Sequence, residues 1–418
     1  MAFDQFTLPN GLKVVGHRLP ECRSLSIGVW VKAGSQYETQ EENGVSHFLE
    51  HMLFKGTQRR TARQIAEEMD AVGGNLNAFT AKDCTCFYAK VVDDDAELAM
   101  DMLSDLVLHS TLDKDEMEKE KGVVLEEIAM VEDEPEDLAH ELAMQAQFGD
   151  QPLSRKILGT EENVKGFTRE FVSAYKERMY RPECSVLALA GGYDPEKLYD
   201  MAMRYFGEWE KGDGLCPQFK LEDYTPGVIR KEKDIEQLHI CLAFPGVPQG
   251  GENVYPMSIF SNIFGGAMSS RLFQRIREEM GMAYSVYTYP SYYTGAGTLA
   301  VYAGTSPENA PEVIRLIKEE IDSLLKDGVS RKEFECTRGQ LKGGYVLGME
   351  GSSPHMNALG RRMLIFGDIQ TQDDVIAKID RVEYEDVQKV ITQTLTGPVA
   401  CALVGRGADK LDLSPIIG

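Results

Sequence analysis

Ser46-His47-Phe48-Leu49-Glu50-His51 puts two imidazoles and a carboxylate within five residues. On a helix, at about 100° per residue, His51 lies roughly 40° from His47, and Glu50 about 60° to the other side. All three project from one face, while Phe48, Leu49, Met52 and Leu53 can anchor the opposite side. Two histidines at i and i+4 hold one metal ion, and zinc is the usual choice for nitrogen ligands. The carboxylate between them stands where it can take a proton from water at the metal, the general-base arrangement of a metallohydrolase. The order H-x-x-E-H is the reverse of the commoner H-E-x-x-H. The same letters also fit an ordinary helix with two surface histidines, so a third ligand decides between the readings. The predicted helix Asp113–Met130 offers Glu120, Glu126 and Glu127. Glu120 and Glu127 are two turns apart and share a face.

These residues sit in a chain that reads as a duplication. Leu25–Gly34 and Leu238–Gly246 are both apolar strands ending in a glycine turn. Helical stretches follow at Asn43–Phe54 and Val254–Glu279. Each half then predicts a strand, a helix, a short turn and another helix. In the first half these are Cys86–Val92, Ala96–His109, Ser110–Leu112 and Asp113–Met130, and in the second Gly297–Gly304, Ala310–Leu325, Lys326–Val329 and Ser330–Met349. Asp113-Lys-Asp-Glu116 and Ser330-Arg-Lys-Glu333 both read as helix-start capping boxes, 217 residues apart. Pro135 should end the helix before it. Gly212–Gly227, rich in Gly, Pro and polar residues, reads as the linker. At roughly 150 residues per domain, 418 residues allow two or three domains. The repeat selects two, 1–215 and 216–418, of one α+β fold. Turn signals such as Pro9-Asn10-Gly11 imply mainly antiparallel sheets covered by helices.

Composition bounds the function. The chain is 43% hydrophobic and 27% charged, which excludes a mainly disordered protein. A net charge of −23 argues against general nucleic-acid binding and against docking on anionic lipid. It is compatible with cationic peptides, although solubility alone accounts for it. No apolar run reaches the length of about 18 residues that spans a bilayer, and Met1–Leu19 has no features of a secretory signal. Eight cysteines are scattered along the chain. They are expected to be reduced thiols in a cytoplasm, most of them small core residues.

Gly44-Val-Ser-His47-Phe-Leu-Glu50-His51-Met-Leu-Phe-Lys-Gly56-Thr57 resembles the signature of the pitrilysin/insulinase family of zinc peptidases, the inverted zincins. The resemblance covers essentially the whole chain, whose length is most like that of bacterial relatives of the mitochondrial processing peptidase beta subunit. It implies zinc held by His47, His51 and a Glu at the position of Glu127, 76 residues beyond His51. It also implies Glu50 as the base and Glu120 as the acid that steadies the site. Asn77, Ala78 and Phe79 in Gly73–Thr80 match an edge strand that pairs with extended substrate, a mode that reads mostly backbone.

The second half lacks the metal set, since the 217-residue offset carries Glu127 to Gly344 and His47 to Phe264. Arg277-Glu-Glu-Met-Gly281-Met-Ala-Tyr284 resembles the family's R-x-x-x-G-L-A-Y element, with Met282 in place of Leu. Read alone, Arg277 would be a helix ion-pair residue and Tyr284 a core aromatic. The resemblance implies instead that Arg277 holds a substrate carbonyl and that Tyr284 donates to the developing oxyanion. Asn262–Ser270 is similar to the family's glycine-containing loop but short, and lacks phosphate-loop spacing. The expected function is a zinc endopeptidase acting on peptides or unfolded segments inside a chamber of four such domains. This chain would supply two, as a homodimer or paired with a related subunit, with Arg277 and Tyr284 reaching the partner's metal. The alternative is a noncatalytic chamber-forming or scaffold subunit.

Overall fold

The computed structural model describes residues 3–417. Its chain forms two compact units of the same α+β kind. The first comprises residues 1–128, 155–219 and 347–371, and the second 129–154, 220–346 and 372–418.

The first unit holds a six-stranded sheet in the order β1-β2-β6-β3-β5-β4. Its strands are β1 (Phe3–Thr7), β2 (Lys13–Arg18), β3 (Ser24–Val31), β4 (Asn75–Thr80), β5 (Thr85–Val92) and β6 (Ser185–Gly191). Only β2 and β6 run parallel. The second unit holds β7 (Val228–Lys231), β8 (Leu238–Pro245), β9 (Ala283–Tyr293), β10 (Ala296–Thr305) and β11 (Ala400–Gly405) in the order β7-β11-β8-β10-β9. Here β7 and β11 are the parallel pair. Matching β2 to β7, β6 to β11, β3 to β8, β5 to β10 and β4 to β9 superposes the two orders, with β1 an addition at the first sheet's edge. The repeat read in the sequence is thus a repeat of sheet topology.

Local chemistry explains the element ends. Asn10 Oδ1 accepts from the Leu12 N–H, and Gly11 takes φ 95° to turn β1 into β2. Ser330 and Glu333 form a complete capping box, each side chain accepting from the other's backbone N–H. At the matching start, Asp113 Oδ1 accepts from the N–H groups of Asp115 and Glu116. The Lys114–Asp133 helix stops just ahead of Pro135, as its ring demands. Between Phe206 and Val228 there is no helix or strand, in keeping with the linker. The helix expected over Val254–Glu279 is broken. It runs as an α-helix over Val254–Ser261, widens into a π-helical turn at Asn262–Gly266, and resumes at Phe273–Glu279. Gly265 and Gly266 weaken the middle.

Both sheets are covered on their second face by a helix from the other half of the sequence, so the compact units do not divide at 215/216. The Pro135–Phe148 helix lays Leu138, Ala139, Leu142, Ala143 and Ala146 on β8, β10 and β11. The Ser352–Phe366 helix, 217 residues later, lays Met356, Leu359 and Met363 on β2, β3 and β6 with Trp30. The backbone of that second helix comes so close that a Cβ at Gly360 would stand 2.1 Å from the Trp30 indole nitrogen.

The cysteines and Tyr284 depart from what the sequence alone suggests. Cys184 and Cys216 form a disulfide, tying the start of β6 to the linker, so the eight thiols are not all free. Their separation of 32 residues gave no spacing signal in the sequence. Tyr284 is 76% exposed and is no core aromatic. Among the described residues, no helix is long and apolar enough to cross a membrane.

Candidate functional site

The Val45–Leu53 helix carries the H-x-x-E-H residues. Phe48, Leu49, Met52 and Leu53 are fully buried in the first unit's core, which fixes the helix rotation and leaves the opposite face to His47, Glu50 and His51. Its N-terminus is held by a buried carboxylate. Glu38 Oε1 accepts from the Ser46 N–H at 2.8 Å, and Oε2 from the Gly44 N–H at 2.8 Å and the Asn43 amide at 3.0 Å. An acid here satisfies free N–H groups and complements the helix dipole. Burial pushes the Glu38 carboxyl up, and these hydrogen bonds oppose the shift. Gly44 has φ 99°, and a Cβ there would meet the Leu158 carbonyl oxygen at 2.7 Å. Only glycine fits.

The Lys114–Asp133 helix brings Glu120 and Glu127 to the same place. Glu127 Oε2 lies 3.5 Å from His51 Nε2 and 3.7 Å from His47 Nε2. That oxygen is buried and has no hydrogen-bond partner, and neither has His47 Nδ1. An orphaned carboxylate oxygen facing two imidazole nitrogens is costly unless something cationic lies between them. Zinc bonds of about 2.0–2.1 Å at tetrahedral angles put ligand atoms about 3.4 Å apart, so the spacing suits that ion. His47, His51 and Glu127 are the group among the described residues that could hold a metal.

Protonation states fit the same use. Burial, with His51 beside it, holds His47 down at about 4, so the ring is neutral and one of its nitrogens offers a lone pair. Glu120, only 4% exposed, accepts from His51 Nδ1 at 2.8 Å. That bond places the His51 proton on Nδ1 and turns the Nε2 lone pair toward Glu127. Lys55 Nζ pairs with Glu120 Oε2 at 2.5 Å and balances its charge. Burial raises the Glu50 carboxyl above its ordinary range, and the nearby Glu127 charge adds to this. Thr80 and His51 pull it back.

Other expected residues fall in two places. Asn77, Ala78 and Phe79 lie on β4, the edge strand of the first sheet, which leaves one side of that strand without a strand neighbour. Arg277 and Tyr284 belong to the second unit, where the Arg277 guanidinium stands 5.2 Å from the Tyr284 ring centroid and 4.8 Å from that of Phe273. The sequence reading missed Glu38, Lys55 and Thr80, whose hydroxyl donates to Glu50 Oε2 at 2.5 Å. Lys55 stands four residues after His51, just past the end of the helix at Leu53. Glu38 and Thr80 act through the tertiary fold and leave no local pattern.

The chain is similar to known proteins over most of its length. The family described as Insulinase (Peptidase family M16) matches residues 13–161, and the one described as Peptidase M16 inactive domain matches 166–341. A Bacillus subtilis protein named uncharacterized zinc protease YmxG is 41% identical over 404 residues, covering 96% of this chain and 97% of its own. The uncharacterized zinc protease ML0855 of Mycobacterium leprae is 40% identical, covering 97% and 92%. Two solved structures share the fold. A protease from Helicobacter pylori has a TM-score of 0.89 at 18% identity, covering 97% of this chain and 99% of that one. A peptidase M16 inactive domain from Pseudomonas fluorescens has a TM-score of 0.88 at 19% identity, covering 97% and 98%.

Proposed function

The chain belongs to the insulinase (peptidase M16) family, and from that premise we propose that it is a zinc-dependent endopeptidase. The observation that carries this reading is the convergence of His47 Nε2, His51 Nε2 and the orphaned Glu127 Oε2. These residues would hold zinc, with Glu120 and Lys55 fixing His51 from behind. Zinc, when bound, would polarise a scissile carbonyl and acidify a water molecule.

The protein's own groups do the rest. Glu50 takes the proton of the attacking water and passes it to the leaving amine. Its raised affinity for a proton suits both steps, since the carboxyl must accept and then release one. A peptide would add to β4 as a further strand along Asn77–Phe79, reading backbone and tolerating many sequences. Tyr284 would donate to the oxyanion, and Arg277, stacked on it, would hold a substrate carbonyl. Among the described residues the second unit has no ligand group that could hold a metal, so its use would be these two groups. Two chains would complete the enclosure, as a homodimer or with a related subunit.

Cleavage of a quenched random-peptide library tests the reading, with zinc content measured on the same samples. Wild type should cleave, while Glu50→Gln should lose about 10²- to 10⁴-fold in rate and retain its zinc. No zinc and no cleavage in wild type would favour the noncatalytic subunit instead.

A further inference from the structure

We propose that Thr80 is a positioning residue for Glu50, tying the orientation of the base to the edge strand β4. The inference rests on the endopeptidase reading and adds a residue to it. Thr80 ends β4 and stands opposite Thr85 in the register with β5. A threonine hydroxyl has one proton to give. Thr85 gives its own to the Ala33 carbonyl oxygen at 3.0 Å. Thr80 gives its proton to Glu50 Oε2 at 2.5 Å. The two hydroxyl oxygens are 3.4 Å apart, but with both protons already placed this contact competes for neither. The bond from Thr80 to Glu50 is therefore the one the local chemistry selects, and it is charge-assisted and short.

A glutamate has three rotatable bonds and loses entropy when held in one orientation. Glu50 also faces a like charge at Glu127, which tends to push it off the metal group. Anchoring Oε2 opposes both effects and leaves Oε1 to handle the proton. The anchor is the residue after Asn77-Ala78-Phe79. A peptide that adds along β4 would stiffen the strand from which Thr80 reaches Glu50, so the residues that read substrate and the base meet at Thr80.

The test compares wild type, Thr80→Val, Thr80→Ser and Glu50→Gln on one quenched peptide, measuring kcat and KM separately with zinc content and melting temperature. Valine keeps the shape and removes the donor, while serine keeps the donor. Thr80→Val should lower kcat about 10- to 100-fold, the scale expected for a misplaced reacting group. Its KM should stay within about twofold and its zinc content at the wild-type value, and Thr80→Ser should restore kcat to within about threefold. Wild-type kcat in Thr80→Val overturns the proposal, as does a serine variant as impaired as the valine. Failure of the base assignment shows separately, as Glu50→Gln cleaving like wild type, and would take the proposal with it.

Discussion

The two sheets share strand order and the placement of their parallel pair, yet among the described residues only the first unit has a group that could hold a metal. The helices Lys114–Asp133 and Arg331–Gly348 occupy the same place in the repeat. The first presents Glu120 and Glu127 at the positions where the second has Thr337 and Gly344. The helix that carries His47 and His51 is regular, while its counterpart breaks into π-helical turns at Asn262–Gly266. The two units thus share a sheet topology and differ in the side chains their equivalent helices present. What each sheet requires is an apolar helix-facing side and a second face closed by a helix from the other half.

If the halves have separate jobs, chains crippled in different halves should rescue each other. Glu50→Gln and Tyr284→Phe chains should each be nearly inactive, and mixing with subunit exchange should return up to about a quarter of wild-type activity per site when Tyr284 acts in trans. A mixture that stays inactive despite exchange would place Tyr284 on its own chain's site. Smaller effects separate the packing of two helices, Arg331–Gly348 and Ser352–Phe366. Gly360→Ala should destabilise by about 1–3 kcal/mol, because the new methyl collides with buried Trp30. Gly344→Ala, with nothing within 4 Å of its Cβ, should stabilise its helix by about 0.5–1 kcal/mol. Thermal or urea unfolding reads both, and equal effects would mean that the two helices are packed alike.

Much of this contrast was legible in the residues. His47, Glu50 and His51 announce themselves by helical spacing, and the capping boxes and Pro135 mark helix ends by local rules. The loss of ligands in the second half is readable once the offset is known. Features set by tertiary placement were not legible. The Pro135–Phe148 and Ser352–Phe366 helices carry ordinary apolar positions that do not say which sheet they will cover. The Cys184–Cys216 disulfide joins residues 32 apart with no motif. Glu38 and Thr80 reach the site helix from a loop and a strand, and only folding brings them there. Val254–Glu279 was misread because its apolar run, taken alone, fits one continuous helix, while the two adjacent glycines favour a break.

On the proposed function the first half alone holds the metal, through His47, His51 and Glu127. Zinc titration of chelator-stripped protein tests it most directly, in wild type and in Glu127→Ala. One tight zinc per chain is expected in wild type, with its loss or strong weakening in the variant. Unchanged tight binding in Glu127→Ala, or a wild-type protein that takes up no zinc, would contradict it.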